Sequence, residues 1–288
     1  MMRRCRSVWA GAAAALAAIV MAGCANTVNP ANTDGRRVTL TSAGDDMVIE
    51  VSTGGGLAPS AVRVSDSLPR IWIAGDGRYI RQTSDGSANP ALPTLEERQI
   101  PEADLPGLLD EARTAGLLDD GTDYGRPLIT DAMVTRVVIV SGGTRHQVLV
   151  YALGYPNPGL DDAAMAARAR LSQFLDALQH PERMAGVSAP TPYVPTQLAV
   201  FVLGAAGASA PNTPAAWPLG DLANAGTPTD WPVGATRCLV LAGADVNTVL
   251  DAAAGKDRST PWRAGDGLWS IAFRPLLPDE HSCADIVR

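Results

Sequence analysis

Between His180 and Thr196 the chain carries Pro181, Pro190, Pro192 and Pro195, with Gly186 among them. Proline has no backbone N–H and a fixed φ, so neither a helix nor an interior strand runs through such a stretch. Residues 181–196 therefore read as a Pro-rich linker, and the body divides into parts at 38–180 and 197–288. Each part must then build its own core. With 46% hydrophobic and 18% charged residues in 288, the apolar material suffices and the charge is too low for a disordered chain.

In the first part, Met47–Ser52 alternates as a strand and Thr53-Gly54-Gly55-Gly56 ends it. Ala61–Val64 and Arg70–Ala74 are further short strand candidates. Gly75-Asp76-Gly77 is a hairpin turn returning through Tyr79–Gln82. Leu105, Leu108, Leu109 and Ala112 share one face of a helix that Asp104 can cap and Gly116 can end, although Pro101 could open an earlier turn. The run Met133–Val140 is dense in β-branched residues. It turns at Ser141-Gly142-Gly143-Thr144 into Gln147–Tyr151, and this hairpin is expected at the centre of a sheet. The clearest helix is Ala163–Leu178. Ala167, Leu171, Phe174, Leu175 and Leu178 point inward, while Arg168, Arg170 and Asp176 are expected to face out.

The second part offers Leu198–Leu203 as a buried strand, Arg237–Leu241 as another and Trp269–Phe273 as the last. Asp245 can cap a short helix through Ala254. The stretch Gly204–Gly234 is too long for an ordinary loop, and either wraps the surface pinned by Trp217 and Trp231 or hides short elements. The expected fold class is α+β: an antiparallel sheet packed by two helices, followed by a smaller α+β domain closed by one disulfide.

The N-terminus reads MMRRCRSVWAGAAAALAAIVMAGC. Arg3, Arg4 and Arg6 precede an apolar run of 14 residues, Val8–Met21. As a helix it would be roughly 21 Å long, short of the roughly 30 Å bilayer core, so residues 1–23 read as a cleavable export signal. No other stretch approaches membrane length, which excludes a multi-span protein. Met21-Ala22-Gly23-Cys24 resembles the lipobox of bacterial lipoproteins. The single lysine, Lys256, and abundant arginine and alanine fit a GC-rich genome, and the signal is similar to those of actinobacterial lipoproteins. The resemblance implies acylation of Cys24, cleavage before it, and attachment to the bilayer at the extracytoplasmic face of the cell membrane. An ordinary secretory signal with a coincidental cysteine is the alternative. Residues 24–37 are small and polar, a lipidated tether about 40 Å long when extended.

Cys5 leaves with the signal and Cys24 carries lipid, so Cys238 and Cys283 remain, in an oxidising compartment. They are expected to form one disulfide; free thiols or a metal pair are the alternatives, and neither cysteine stands in a CxxC.

No constellation for catalysis is legible. There is no G-x-S-x-G elbow, and no S-x-x-K stands with partner motifs. The three histidines, His146, His180 and His281, are scattered, and each reads as structural. The acidic loop Asp119–Asp131 lacks calcium-loop spacing, and Gly54-Gly55-Gly56 lacks the following Lys-Ser/Thr of a phosphate loop. No catalytic residue, metal or cofactor is expected. A formal net charge of −7 leaves no footprint for phosphate backbones, so no nucleic-acid partner is expected either.

Residues 47–178 resemble in layout the emfourin-type inhibitors of bacterial metallopeptidases, through Gly54-Gly55, Asp76-Gly77, the helix within Leu105–Leu118 and the segment Asp131–Leu149. That resemblance implies a small cystatin-like sheet with packed helices and favours a binding module. The expected function is a non-catalytic envelope lipoprotein that interacts with a protein or peptide. An envelope hydrolase or transferase with no visible motif is the alternative. A deep pocket of convergent polar side chains would favour the enzyme, and a flat or grooved apolar surface the binder.

Overall fold

The computed structural model describes residues 44–55, 59–84, 86, 89–156, 158–207 and 212–286. The signal at 1–23, Cys24 and the tether lie outside these residues. The described chain is α+β, with two sheets, four helices and a disulfide.

The first part runs β1 (Met47–Gly54), α1 (Ser60–Asp66), β2 (Ile71–Ala74), β3 (Arg78–Thr83), β4 (Thr94–Gln99), α2 (Leu105–Thr114), β5 (Val134–Ser141), β6 (Thr144–Tyr151) and α3 (Asp162–Gln179). Its strands, with β7 (Thr191–Pro192), form a seven-stranded antiparallel sheet in the order β6-β5-β1-β2-β3-β4-β7. The β1–β5 register sets Ile49 against Ile139 and Val51 against Val137. One face of these strands is therefore apolar, and it shares a buried cluster with Leu105, Leu109 and Ala112 of α2 and Leu171, Phe174 and Leu178 of α3. The β2–β3 turn forms as expected. Gly77 takes φ +82 there, and a Cβ would sit 2.0 Å from the Ile100 carbonyl oxygen, so no other residue fits. Strand β4 has little apolar signal, only Leu95 in TLEERQ. Cross-strand ion pairs draw it in, Arg81 to Glu96 at 2.7 Å and Arg78 to Glu97 at 3.3 Å.

The second part runs β8 (Gln197–Ala205), β9 (Ala215–Ala216), β10 (Thr227–Pro228), β11 (Arg237–Ala242), α4 (Ala244–Ala253), β12 (Trp262–Ala264) and β13 (Gly267–Pro275). Its six-stranded sheet has the order β10-β11-β8-β13-β12-β9 and is mixed, because β9 runs parallel to β12. Val246 and Val249 of α4 bury against Leu198, Val200 and Phe273. The long stretch between β8 and β11 is pinned by its tryptophans. Trp217 meets Trp262 edge-on at 5.9 Å, and Trp231 meets Phe201 at 5.4 Å. Cys238 of β11 is bonded to Cys283, with Cα atoms 6.3 Å apart, tying the C-terminal tail to the sheet.

Four local expectations need correction. Ala61–Val64 is helical. The run has no strong intrinsic preference, and burial of Val64 and Ala61 against Ala199, Phe201 and Ala272 of the second sheet decides its form. The β5–β6 hairpin is not central: β6 is an edge strand, because β1 takes the other side of β5. Asp104 and Asp245 make no side-chain capping bond. Asp104 stands at the N-cap position of α2, at the end of a short 3₁₀ turn, while α4 is capped two residues earlier than expected, at Gly243, leaving Asp245 in its first turn. By contrast Asp161 accepts a bond from the Ala164 amide at 2.8 Å and caps α3.

The fourth correction is Arg168, which is 3% exposed rather than outward. Its guanidinium donates to the carbonyls of Tyr124 (3.2 Å), Tyr151 (3.0 Å) and Ala152. Burial pulls its pKa below the ordinary arginine value, yet an arginine so far from neutrality stays charged. Periodicity places it on the rim of the apolar face, and only the neighbouring loops make that rim interior.

The 181–196 segment separates the strands of the two sheets, β7 aside, and is held along its length. It forms a 3₁₀ turn at Pro181–Arg183, β7 pairs with β4, and the Tyr193 hydroxyl donates to the Leu276 carbonyl at 2.9 Å. Other pieces cross it: α1 packs on the second sheet, and Leu277 enters the cluster around Trp72 on the first. Val38–Arg288 group as one compact unit.

The crossing is locked by a buried ion pair. Arg274 of β13 donates to both carboxylate oxygens of Glu280 and to the carbonyls of Pro275 and Ser67. Glu280→Leu alone should destabilise the fold by about 3–5 kcal/mol, because it strands a buried guanidinium. Adding Arg274→Met should restore most of that loss, as read by urea midpoints. Arg168→Leu, which removes a donor from three carbonyls, of which among the described residues only that of Ala152 keeps a further one in the Tyr155 amide, is expected to cost about 2–4 kcal/mol in the same assay.

Candidate binding cleft

The face of the first sheet away from α2 and α3 carries charge where β1 and β5 meet. Glu50 lies beside Val138, and Arg136 beside Ser52. Both charged side chains therefore project to the same side, on a diagonal, and Arg136 donates to the Glu50 carboxylate. Its Nε also donates to Gln147 Oε1 at 3.0 Å, which fixes the guanidinium against the sheet.

Helix α1 forms the facing wall with Arg63, Asp66 and Ser67. The tail supplies Glu280 and Asp285, and Trp231 stands at the side. Together they enclose an open cleft of about 320 Å³. It exists because α1 leaves β1 of one sheet to pack on the other, so the fold itself brings these residues together.

The acids in the cleft are unequally committed. Glu280 is held by Arg274 and by the Leu277 amide at 2.8 Å, while its burial pushes the carboxyl pKa upward. Asp285 accepts from the backbone amides of His281 and Ser282 and from the Ser282 hydroxyl. Asp66 accepts no hydrogen bond among the described residues. Partial burial raises its pKa, and Arg70 and Arg258 offset part of that rise.

The residues singled out in the sequence are placed as follows. Cys24 lies outside the described residues. Cys238 and Cys283 are bonded behind the cleft and do not line it. His180 is half-buried between Asp176 and Glu182, His146 is on β6, and His281 is in the tail, so no two histidines are brought together. Among the described residues no group of three or more His, Cys, Asp or Glu can hold a metal ion. Gly54 and Gly55 line the cleft rather than a helix N-terminus. Trp217 and Trp262 are core residues, and Trp231 is half-buried with one side on the cleft. Glu50, Arg136 and Asp66 were missed. A signal for the first two exists: each interrupts an otherwise apolar strand, in MVIEVS and VTRVVIV. Nothing in the sequence places Asp66 opposite them.

No family model, curated protein or solved structure matches this chain.

A raised carboxyl pKa means that the folded state binds the Asp66 proton more tightly than the unfolded chain does. The contribution of Asp66 to stability is therefore best below pH 3.8 and declines as pH rises through its raised value. Asp66→Asn should accordingly stabilise the protein at pH 7 relative to wild type, with the difference vanishing near pH 3. Thermal melts across that range check it.

Proposed function

We propose that this protein is a lipid-anchored, extracytoplasmic binding protein of the cell envelope, attached through acylated Cys24, with the cleft as its ligand site. In this reading it comprises residues 38–180, an antiparallel sheet packed by α2 and α3, and a smaller part at 197–288 closed by the disulfide, joined by the strap at 181–196. The acyl chains supply the membrane attachment, and two chains hold where one would exchange. Among the described residues no helix is long and apolar enough to cross a membrane.

The observation that carries the binding reading is the state of the cleft's charges. Glu50, Glu280 and Asp285 are each held in place by donors of the chain itself. Such groups present a fixed pattern of charge, which suits recognition better than proton transfer. Trp231, braced on Phe201, adds a rigid aromatic edge. A protein, peptide or envelope component is the ligand in this reading. Asp66 favours the second reading, an envelope hydrolase or transferase, because a carboxyl with a raised pKa in a cleft can serve as a general acid.

Cys24→Ala, or globomycin treatment of the wild type, should leave unprocessed or released protein; normal processing and membrane retention of the variant would overturn the anchor. Affinity capture from detergent-solubilised membranes should recover a partner with wild type and lose it with Arg63→Glu, an exposed change on the cleft wall. Equal recovery by both would remove the cleft from the reading.

A further inference from the structure

Two sheets have four edges, and the described residues treat them very differently. The edge strands β7, β10 and β9 are two residues long each, and β7 and β10 end in Pro192 and Pro228. These are devices that deny a foreign strand a template. The fourth edge, β6, has none of them. It is eight residues long, contains no proline, and pairs with β5 at eight consecutive positions without a bulge. Among the described residues β5 is its only partner strand. A row of backbone N–H and C=O groups is thus presented along Thr144–Tyr151, and Leu149 is 60% exposed upon it.

This edge borders a groove of about 340 Å³. His146, Gln147, Val148 and Leu149 of β6 all line it. Successive strand residues point to opposite faces, so only a groove running along the edge itself touches all four. The far wall is the loop from Leu117 to Gly125, with Asp119, Asp120 and Asp123 exposed. These three carboxylates form no ion pair among the described residues. The nearby Arg126 instead stacks over the Tyr151 ring at 4.1 Å. Both walls are set by one buried group. Arg168 holds Tyr124 on the loop and Tyr151–Ala152 at the end of β6, while the Tyr124 hydroxyl donates to the Ala115 carbonyl at 2.7 Å. The groove is therefore a slot with tethered walls, with the backbone of an edge strand on one side and carboxylates outside any ion pair on the other.

The geometry points to β6 as a docking edge for an extended basic peptide segment of a partner protein, which adds an eighth strand to the first sheet and places cationic side chains against Asp119, Asp120 and Asp123. Backbone pairing supplies affinity and the aspartates select sequence, the mode known as β-augmentation. The edge groove and the cleft share no lining residue, although Gln147 of the edge accepts from Arg136 of the cleft; the inference rests on the edge backbone and the loop aspartates and does not depend on the proposed ligand site.

The test uses the full chain in detergent and a fluorescent, capped peptide of alternating lysine and valine as the probe. Polarisation should show saturable binding below about 1 mM. Two probes methylated on alternate backbone nitrogens, one on odd and one on even residues, each lose the hydrogen bonds of a single edge. One should bind like the parent and the other not at all. Asp119→Asn/Asp120→Asn/Asp123→Asn, a change of exposed residues that retains hydrogen-bonding capacity, should weaken the parent probe about tenfold or more. On adding probe, amide exchange should slow at 144–151 and stay unchanged in α1. Equal binding of both methylated probes, absence of saturable binding, or a β6-mediated dimer that the probe does not displace would each overturn the proposal.

Discussion

The guanidinium of Arg274 holds the architecture together. It sits at the end of β13, 1% exposed, and reaches three separate pieces of chain: its own strand, the turn carrying Glu280, and the carbonyl of Ser67 that closes α1. Helix α1 joins β1 to β2 in the first sheet yet buries Val64 in the second. The tail follows β13 in the second sheet yet buries Leu277 on the first. Arg274 stands where these two exchanges meet. A charge this deep costs desolvation energy unless it is paired and hydrogen-bonded; Glu280 and the Pro275 and Ser67 carbonyls meet its two terminal nitrogens while Nε has no partner among the described residues, and that set of contacts ties helix, strand and tail into one arrangement. The disulfide acts on the same tail from its far end.

Both surfaces with functional potential follow from that arrangement. The cleft opens where α1 and the tail stand away from the sheet they cross, which exposes the diagonal of Glu50 and Arg136. The edge groove depends on a second buried arginine, Arg168, that has no carboxylate partner among the described residues and is satisfied by carbonyls alone. In each case a buried cation positions backbone, and the backbone positions exposed groups of opposite chemistry: mixed charge around Trp231 in the cleft, and aspartate facing an open strand in the groove.

Much of the local structure was legible in the sequence because it rests on local physics. The Asp76-Gly77 turn needs a residue that tolerates positive φ, the β-branched run at β5 needs a sheet, and the leucine spacing of α3 needs one apolar neighbour. The pairing of Cys238 with Cys283 followed from counting once an oxidising compartment was inferred. What escaped were elements whose partners are distant. Strand β4 is charged and becomes a strand only through the arginines of β3. Ala61–Val64 becomes a helix because the second sheet has a hollow for Val64. Arg168 turns inward because two loops, remote in sequence, leave three carbonyls there.

The sequence by itself determined the sheet-forming runs, the main helices and the residues available for a disulfide. It did so because hydrophobic period, turn chemistry and residue inventory are properties of short stretches. Tertiary structure alone decided which strand lies at an edge, which charge is buried, and which residues face one another across the cleft. Those are properties of strand order and of chain crossing between sheets, where residues from α1 and from the tail, more than two hundred positions apart, satisfy one guanidinium.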